Sequence, residues 1–198
     1  MLEGITEDIW GKNQGRLEMR INREKSVGLV IDIQGKLFPH MDQNEALIKK
    51  CTTLIEGLKV LEVPLVVTEQ YPKGLGTTVA EIASLIAEDP LVEKITFSCC
   101  DEPALLQTVP IQNRKTIIIC GIEAHVCVLQ TVIDFLAAGY SAVVVEDCIS
   151  SRNPNDKQIA IERMRAEGAV ITTCESILFE LLRIAGTEEF KSISRLVK

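Results

Sequence analysis

One cysteine of this sequence lies where a strand gives way to a helix. Cys127 is part of GIEAHVCV, which follows the apolar run TIIIC and precedes LQTVIDFLAAGY, a segment typical of a helix. A thiol at a helix N-terminus is favoured as a thiolate, the nucleophilic form. A free cysteine can also be a small apolar core residue, and for a cysteine considered alone that interpretation is the commoner one.

Two other side chains could assist such a thiol. Asp32 ends the run VGLVID, and Lys94 lies in or just after the weaker run LVEKI. A carboxylate can accept the thiol proton, and an ammonium stabilises the charges that result. Both residues also have ordinary interpretations. Asp32 could accept backbone N–H bonds from the next turn, and Lys94 could form a solvated pair with Glu93, worth about 0–1 kcal/mol.

The segments around these residues predict an α/β fold. From Val27 onward, short β-branched runs alternate with segments of helical period, which is the pattern of a parallel sheet covered by crossover helices. Ligands of such sheets bind beyond the carboxyl ends of the strands, where Asp32, Lys94 and Cys127 all fall. The predicted strands are residues 27–32, 64–68, 91–95, 116–120, 141–146 and 169–173.

Turn residues mark the ends of some helices. Thr78 and Glu81 have the spacing of a capping box, which predicts a helix starting there. Asn153 followed by Pro154 predicts an N-cap and the first residue of another helix.

Length and charge narrow the class of protein. A chain of 198 residues suits a single domain. The formal net charge is −7 and the basic residues are scattered, which argues against a nucleic-acid surface and favours a small-molecule substrate. The apolar runs are too short to cross a bilayer, and the N-terminal residues lack the apolar segment of a secretory signal. We therefore expect no membrane partner and a cytoplasmic location.

The cysteines and the chain ends complete the organisation. Seven cysteines is an odd number without a zinc-like C-x-x-C pair, so we expect reduced thiols. We expect an N-terminal extension over residues 1–26, the domain itself over residues 27–184, and a C-terminal tail over residues 185–198.

The chain resembles the isochorismatase-like cysteine hydrolases, a family that includes nicotinamidases and N-carbamoylsarcosine amidases. The resemblance extends from about Val27 to Leu182, and it is specific because several segments occur together in one order. These segments are LVIDIQGKLFP, VVTEQYPKGLG, VEKITFS, IIICGIEAHVCVLQTVIDFLAAGY and VVVEDCISSR.

The resemblance implies a fold and a catalytic group. The fold is a Rossmann-like, three-layer α/β/α arrangement around a six-stranded parallel sheet. The residues that match the family's catalytic triad are Asp32, Lys94 and Cys127. The resemblance also implies a cis peptide bond between Ile122 and Glu123, an oxyanion hole formed by the N–H groups of Glu123 and Cys127, and a homo-oligomer.

The substrate pocket is less well defined by the sequence. Loops that follow the first two strands could fold over the site, and His125 precedes the nucleophile by two residues. Every one of these side chains could equally be ordinary loop or turn surface. The candidate substrate-binding residues are Gln34, Phe38, Glu69, Tyr71, Lys73, Leu75 and His125.

A metal and a cofactor are not expected. Metal-binding nicotinamidases have an Asp and paired histidines after the second strand, and these residues hold the metal ion. This chain has TEQYPKGLG in the corresponding segment. Its two histidines, His40 and His125, lack the spacing of metal ligands. Nicotinamidase activity is therefore not favoured.

Three functions are compatible with these observations. The first is a metal-independent cysteine hydrolase that acts on a small amide or a related C–N bond. The second is an isochorismatase-type vinyl-ether hydrolase, although members with that activity usually lack the cysteine. The third is a non-catalytic, oligomeric binding protein on the same fold.

Overall fold

The computed structural model describes residues 20–198, and a six-stranded sheet forms their centre. Its strands are β1 (Ser26–Ile31), β2 (Leu65–Gln70), β3 (Leu91–Lys94), β4 (Thr116–Ile122), β5 (Ser141–Ser150) and β6 (Val170–Thr172). The spatial order is β3-β2-β1-β4-β5-β6, and every neighbouring pair is parallel. The predicted α/β class with six parallel strands is thus confirmed.

Helices cover both faces of the sheet. They are α1 (Asn44–Val60), α2 (Pro72–Leu75), α3 (Ala80–Ala83), α4 (Pro103–Leu106), α5 (Val109–Asn113), α6 (Leu129–Ala137), α7 (Pro154–Ala166), α8 (Cys174–Leu182) and α9 (Glu188–Leu196). Side chains of α1, α8 and α9 pack on one face, which we call the α1 face. Side chains of α4 to α7 pack on the other, which we call the α6 face.

Each face has its own apolar core. On the α1 face, helices α1 and α8 approach closely at Gly57, because a Cβ atom there would lie only 2.5 Å from the Leu178 side chain. On the α6 face, Val132 and Phe135 of α6 are fully buried against the sheet. Successive strand residues alternate between the two faces, so that Val30 packs on the α1 face while Ile31 packs on the α6 face.

The first and last parts of the described residues both lie on the α1 face. Residues 1–19 of the expected N-terminal extension lie outside the described residues, and in the remainder the backbone N–H of Ile21 donates to Glu180 at 2.8 Å. The expected C-terminal tail, residues 185–198, contains α9, which packs on α1 and α8 and buries Ile193 completely.

Of the two helix starts predicted from the sequence, the structure confirms the one at α7 and contradicts the one at α3. The Asn153 side chain caps α7 by accepting from the N–H of Asn155, and Pro154 is the first helical residue, as predicted. The capping box at Thr78 was a wrong prediction, because α3 begins at Ala80 without a side-chain cap. Thr78 instead donates to the buried carboxylate of Glu69 through both its N–H and its hydroxyl.

Among residues 20–198, no helix is both long enough and apolar enough to cross a membrane.

Candidate active site

Three titratable side chains meet beyond the carboxyl ends of the strands. Asp32 follows β1 directly, Lys94 is the last residue of β3, and Cys127 lies in the helical turn 124–128 between β4 and α6. The Lys94 Nζ atom lies 2.6 Å from Asp32 Oδ2, and neither side chain is exposed to solvent. The other carboxylate oxygen, Asp32 Oδ1, accepts a hydrogen bond of 2.7 Å from the hydroxyl of Thr68 in β2.

The backbone at Asp32 turns its carboxylate onto the α6 face. Strand alternation alone would direct Asp32 to the α1 face, because Ile31 before it packs on the α6 face. Asp32 has a φ of 53°, in the left-handed region that aspartate tolerates better than most residues. Its side chain therefore reaches Thr68 and Lys94, which lie on the same side as Val66 and Val92 of the α6-face core.

Lys94 is held as a charged group by three acceptors. Besides Asp32, its ammonium donates to the backbone oxygens of Thr96 at 3.1 Å and Phe97 at 3.3 Å, so all three of its protons have partners. Burial lowers the pKa of Lys94, but the Asp32 carboxylate together with the neighbouring Cys99 and Cys127 outweighs burial, and the pKa is raised overall. The ammonium is thus a permanent positive charge inside the site.

Cys127 is buried beside this pair and is only 3% exposed. It lies in the last part of the turn 124–128, which has π-helical geometry and runs directly into α6. The Cys127 Sγ–H donates to Oε1 of Gln70 at 3.5 Å. The peptide bond between Ile122 and Glu123, at the start of the turn, is cis.

The resting sulfur is a thiol rather than the thiolate expected from the sequence. Burial raises the pKa of Cys127, and the negative charge of Asp32 raises it further. The Lys94 ammonium lowers this pKa, but by less than the other two effects raise it. The position at a helix start therefore does not by itself ionise a sulfur that is removed from water.

Gly121 brings the turn close to Asp32. Its φ is 128°, and a Cβ atom at this position would lie 2.1 Å from the carbonyl oxygen of Ile31. Only glycine can adopt both the conformation and the approach. Strand β4, which leads to Cys127, therefore contacts strand β1 at Ile31, the residue just before Asp32.

The side chains of the turn bind the loop that follows β5. The Glu123 carboxylate accepts from the backbone N–H of Arg152 at 3.0 Å and from its Nε at 3.1 Å. His125 Nδ1 lies 2.9 Å from the hydroxyl of Ser151. Both residues thus anchor the turn, and His125 is half-buried against that loop.

A cavity of about 410 Å³ opens beside β3. The ring of Tyr71 forms part of the cavity wall. This ring packs closely on Gly74, because a Cβ atom at position 74 would lie only 2.3 Å from it. Of the seven candidate pocket residues, Tyr71 and Lys73 line this cavity. Its wall consists of Tyr71, Pro72, Lys73, Glu93, Lys94, Ile95, Thr96 and Glu102.

The structure places three other candidate pocket residues within the loop scaffold. Buried Gln34 donates to the backbone oxygens of Gln70 and Gly76 and accepts from the N–H of Gln70. Glu69 binds Thr78, as described above. Phe38 is half-buried and packs on the α1-face core.

Sequence reasoning missed Thr68 and Gln70. It selected Glu69 and Tyr71, the neighbours of Gln70, from the same segment. Strand alternation could have found the right residues, since Val66, Thr68 and Gln70 share one face and Glu69 faces the other way.

Among residues 20–198, no group of three or more His, Cys, Asp or Glu side chains is arranged to hold a metal ion.

Comparison with known families agrees with this architecture. The isochorismatase domain matches residues 26–176, and the chain therefore belongs to that family. A relative from Phytophthora sojae, named secreted isochorismatase effector Isc1, is 41% identical over 90% of this chain and 87% of its own.

Solved structures show the same fold. A MAR1 ribonuclease from Caenorhabditis elegans is 36% identical, with a TM-score of 0.84 over 90% of this chain and 92% of its own. The YcaC protein of Escherichia coli, described as an octameric hydrolase of unknown specificity, is 20% identical, with a TM-score of 0.85 over 92% of each chain. This protein thus has the fold of isochorismatase-family hydrolases.

Proposed function

We propose that this protein is a cysteine hydrolase that cleaves a small amide or a related C–N bond, with Asp32, Lys94 and Cys127 as its catalytic residues. The observation that carries the proposal is the unexposed Asp32–Lys94 ion pair, 2.6 Å long, beside a buried thiol at the start of α6. Burying two charges is costly, so a pair kept next to a thiol at the ligand-binding edge of the sheet favours a catalytic role.

Asp32 is the general base in this proposal. When a substrate carbonyl is in place, the carboxylate accepts the Cys127 proton while sulfur forms a bond to the carbonyl carbon. Protonated Asp32 then gives that proton to the nitrogen as the C–N bond breaks, which leaves a thioester. A water molecule gives a proton to Asp32 and attacks the thioester, and Asp32 returns the proton to the departing sulfur.

Fixed charges and dipoles stabilise the reacting atoms. The Lys94 ammonium lies beside the carboxylate and stabilises the thiolate as it forms. The backbone N–H groups of Glu123 and Cys127 are the donors proposed for the oxyanion, and one preorganised donor contributes about 2.7–4 kcal/mol to such a transition state. The contacts of the Glu123 carboxylate with Arg152 support a fixed position for this turn.

The proposal is tested by turnover of a panel of small carboxamides and carbamoyl compounds, measured as released ammonia or amine. We expect hydrolysis of at least one compound by the wild-type protein. Pyruvate release from isochorismate, without amide hydrolysis, would instead establish the vinyl-ether hydrolase. A Cys127 that reacts with no electrophile in the native protein would favour the non-catalytic binding protein.

The role of Asp32 has a separate signature. Because its negative charge raises the pKa of Cys127, the Asp32→Asn variant should alkylate at Cys127 faster than the wild type while losing turnover. Lys94→Met should alkylate more slowly, because it removes the charge that lowers this pKa. Rates of iodoacetamide incorporation at Cys127, resolved by mass spectrometry, measure both effects. Slower alkylation in Asp32→Asn would contradict the prediction that the charge of Asp32 keeps the resting thiol protonated.

A small molecule remains the proposed substrate, with no nucleic acid, no membrane and no cofactor as partners. Because the similar protein from Caenorhabditis elegans is named a ribonuclease, RNA is the alternative substrate to test. The net charge of −7 disfavours RNA binding by this protein. Cleavage of single-stranded RNA that depends on Cys127 would overturn this part of the proposal. The cytoplasmic location also stays a prediction, since the Phytophthora relative is named a secreted effector.

We further propose a homo-oligomer. The edge strand β3 and its neighbours expose four large apolar side chains, and YcaC of Escherichia coli is described as an octamer. Light scattering should give a mass several times that of one chain, and Ile95→Glu, at an 82% exposed position, should lower it. A monomeric mass for the wild-type protein would contradict the proposal. The exposed side chains are Tyr71, Leu91, Ile95 and Phe97.

A further inference from the structure

The proposed nucleophile lies apart from the wall of the cavity beside β3. Cys127 is 3% exposed, and within the described residues it is not part of the cavity wall. The side chain that joins the two is Gln70. Its Oε1 accepts from the Cys127 thiol at 3.5 Å, and its Nε2 donates to the backbone oxygens of Ile95 at 3.2 Å and Thr96 at 3.4 Å, both on the wall.

Gln70 is held far less firmly than the neighbouring glutamine. Gln34 is fully buried, and its three hydrogen bonds are 2.6 to 3.0 Å long. Gln70 is half-buried, and its contacts are 3.2 to 3.5 Å long. Hydrogen bonds from nitrogen are commonly about 2.9–3.0 Å long, so the two contacts of Gln70 Nε2 are long ones, and the thiol that its Oε1 accepts from is a weak donor.

The other side chains around the thiol are fixed. Lys94 uses all three ammonium protons, and the Asp32 carboxylate is bound by both Lys94 and Thr68. A movement of either would leave a buried charge without its partner, which is strongly unfavourable. Gln70 is uncharged, so rotation of its side chain toward water exchanges only weak, neutral contacts.

We propose that the side chain of Gln70 is a gate that closes the passage between this cavity and Cys127. Rotation of the carboxamide away from the thiol opens the passage and removes its contacts with the backbone oxygens of Ile95 and Thr96, of which Thr96 keeps its bond from Lys94. These oxygens can then accept from the N–H group of an incoming ligand, which replaces the contacts that Gln70 gives up. The inference rests on the proposed function only for the identity of the nucleophile, because access to the thiol can be measured without turnover.

Two electrophiles of different size test the gate. Iodoacetamide and the bulkier N-phenyl-iodoacetamide alkylate the same sulfur through the same thiolate. A changed pKa scales both rates equally, whereas a widened passage favours the larger reagent. In Gln70→Ala we expect the larger reagent to react about tenfold faster than with the wild type, a closing free energy of ~1.4 kcal/mol, and the smaller reagent to gain less.

Matched variants separate the gate from other roles. Asp32→Asn should change the rates of both reagents by one common factor, because it acts on the thiol pKa. Gln112→Ala, at an exposed helix position, should change neither rate. Gln70→Met keeps the length of the side chain without its hydrogen bonds, and its rates should lie between those of the wild type and Gln70→Ala.

The outcomes are decisive in both directions. A common factor for the two reagents in Gln70→Ala would make Gln70 a modifier of the thiol pKa and overturn the gate. Unchanged or slower alkylation by both reagents would make it a structural residue, with the same consequence. If thermal denaturation shows Gln70→Ala to be unfolded, the same comparison in Gln70→Met decides. None of these measurements depends on turnover. The gate can therefore be confirmed or rejected by alkylation even if no amide is hydrolysed.

Discussion

Buried thiols lie on both faces of the sheet, but their surroundings differ. On the α6 face, Cys99 and Cys127 lie near the buried Asp32–Lys94 pair. On the α1 face, by contrast, the ion pair between Asp147 of β5 and Lys50 of α1, 3.4 Å long, is partly exposed to solvent, and four thiols are buried there. These are Cys51, Cys120, Cys148 and Cys174.

The contacts of the α1-face thiols are those of core residues. Cys51 Sγ–H donates to the backbone oxygen of Cys148 at 3.3 Å, and Cys174 Sγ–H donates to that of Lys50 at 3.7 Å. Burial raises the pKa of Cys148, as it does for Cys127. Burial is thus common to both faces, and it raises the pKa of a thiol on each of them. What distinguishes Cys127 is a buried carboxylate that can receive its proton.

The largest expected difference between the faces is in activity. Cys127→Ala should lower turnover by about 10³-fold or more, because removal of a nucleophile abolishes the covalent route. Cys51→Ala removes an equally buried thiol on the α1 face and should retain turnover within a few-fold. Both variants are compared by kcat/KM on the same amide and by thermal denaturation. Equal losses would mean that the two faces do not differ in function.

The second difference is in the free energy of unfolding. Lys94→Met should lower it by roughly 3–5 kcal/mol, because Asp32 is left as an unpaired buried charge. The control is Lys191→Met, which removes a surface ion pair with Glu188 of the same 2.6 Å length and should cost about 0–1 kcal/mol. Urea denaturation measures both. Similar losses would contradict a special role for burial on the α6 face.

The smallest difference is in alkaline stability. Burial raises the pKa of Cys99 from 9.0 to about 11, so the native protein keeps a proton that the unfolded chain loses. The stability due to this thiol is complete below pH 9.0 and falls as the pH rises toward 11, by up to ~1.4 kcal/mol per pH unit. Cys99→Ala should therefore show a shallower alkaline fall in urea denaturation. At neutral pH the variant reports packing alone, and an unchanged alkaline slope would refute the assignment.

Much of the fold could be predicted from the sequence because it depends on repeated local signals. Apolar runs rich in β-branched residues marked five strands of the sheet. The sixth, LVEKI, was a weaker prediction because of its charges, which the edge position of β3 explains. Leu91 and Glu93 face solvent there, while Val92 and Lys94 are buried. The start of α7 at Asn153 was equally local.

The parts that the sequence did not reveal depend on distant partners. Thr78 has the spacing of a helix cap, but the buried carboxylate of Glu69 is a stronger partner than the helix. The resting protonation of Cys127 depends on burial and on Asp32, which lies 95 positions earlier in the chain. The side on which Asp32 lies depends on its own backbone conformation, which no alternation pattern predicts.

The left-handed backbone at Asp32 also bears on how this site can be altered. A strand residue normally inherits its side of the sheet from its neighbours, so a one-residue shift would reverse it. At position 32 the carboxylate takes its direction from a left-handed φ of 53°, while Val30 and Ile31 before it pack on alternate faces as in an ordinary strand. Protein engineers could therefore vary the core residues before Asp32 and the carboxylate at position 32 as two separate design problems.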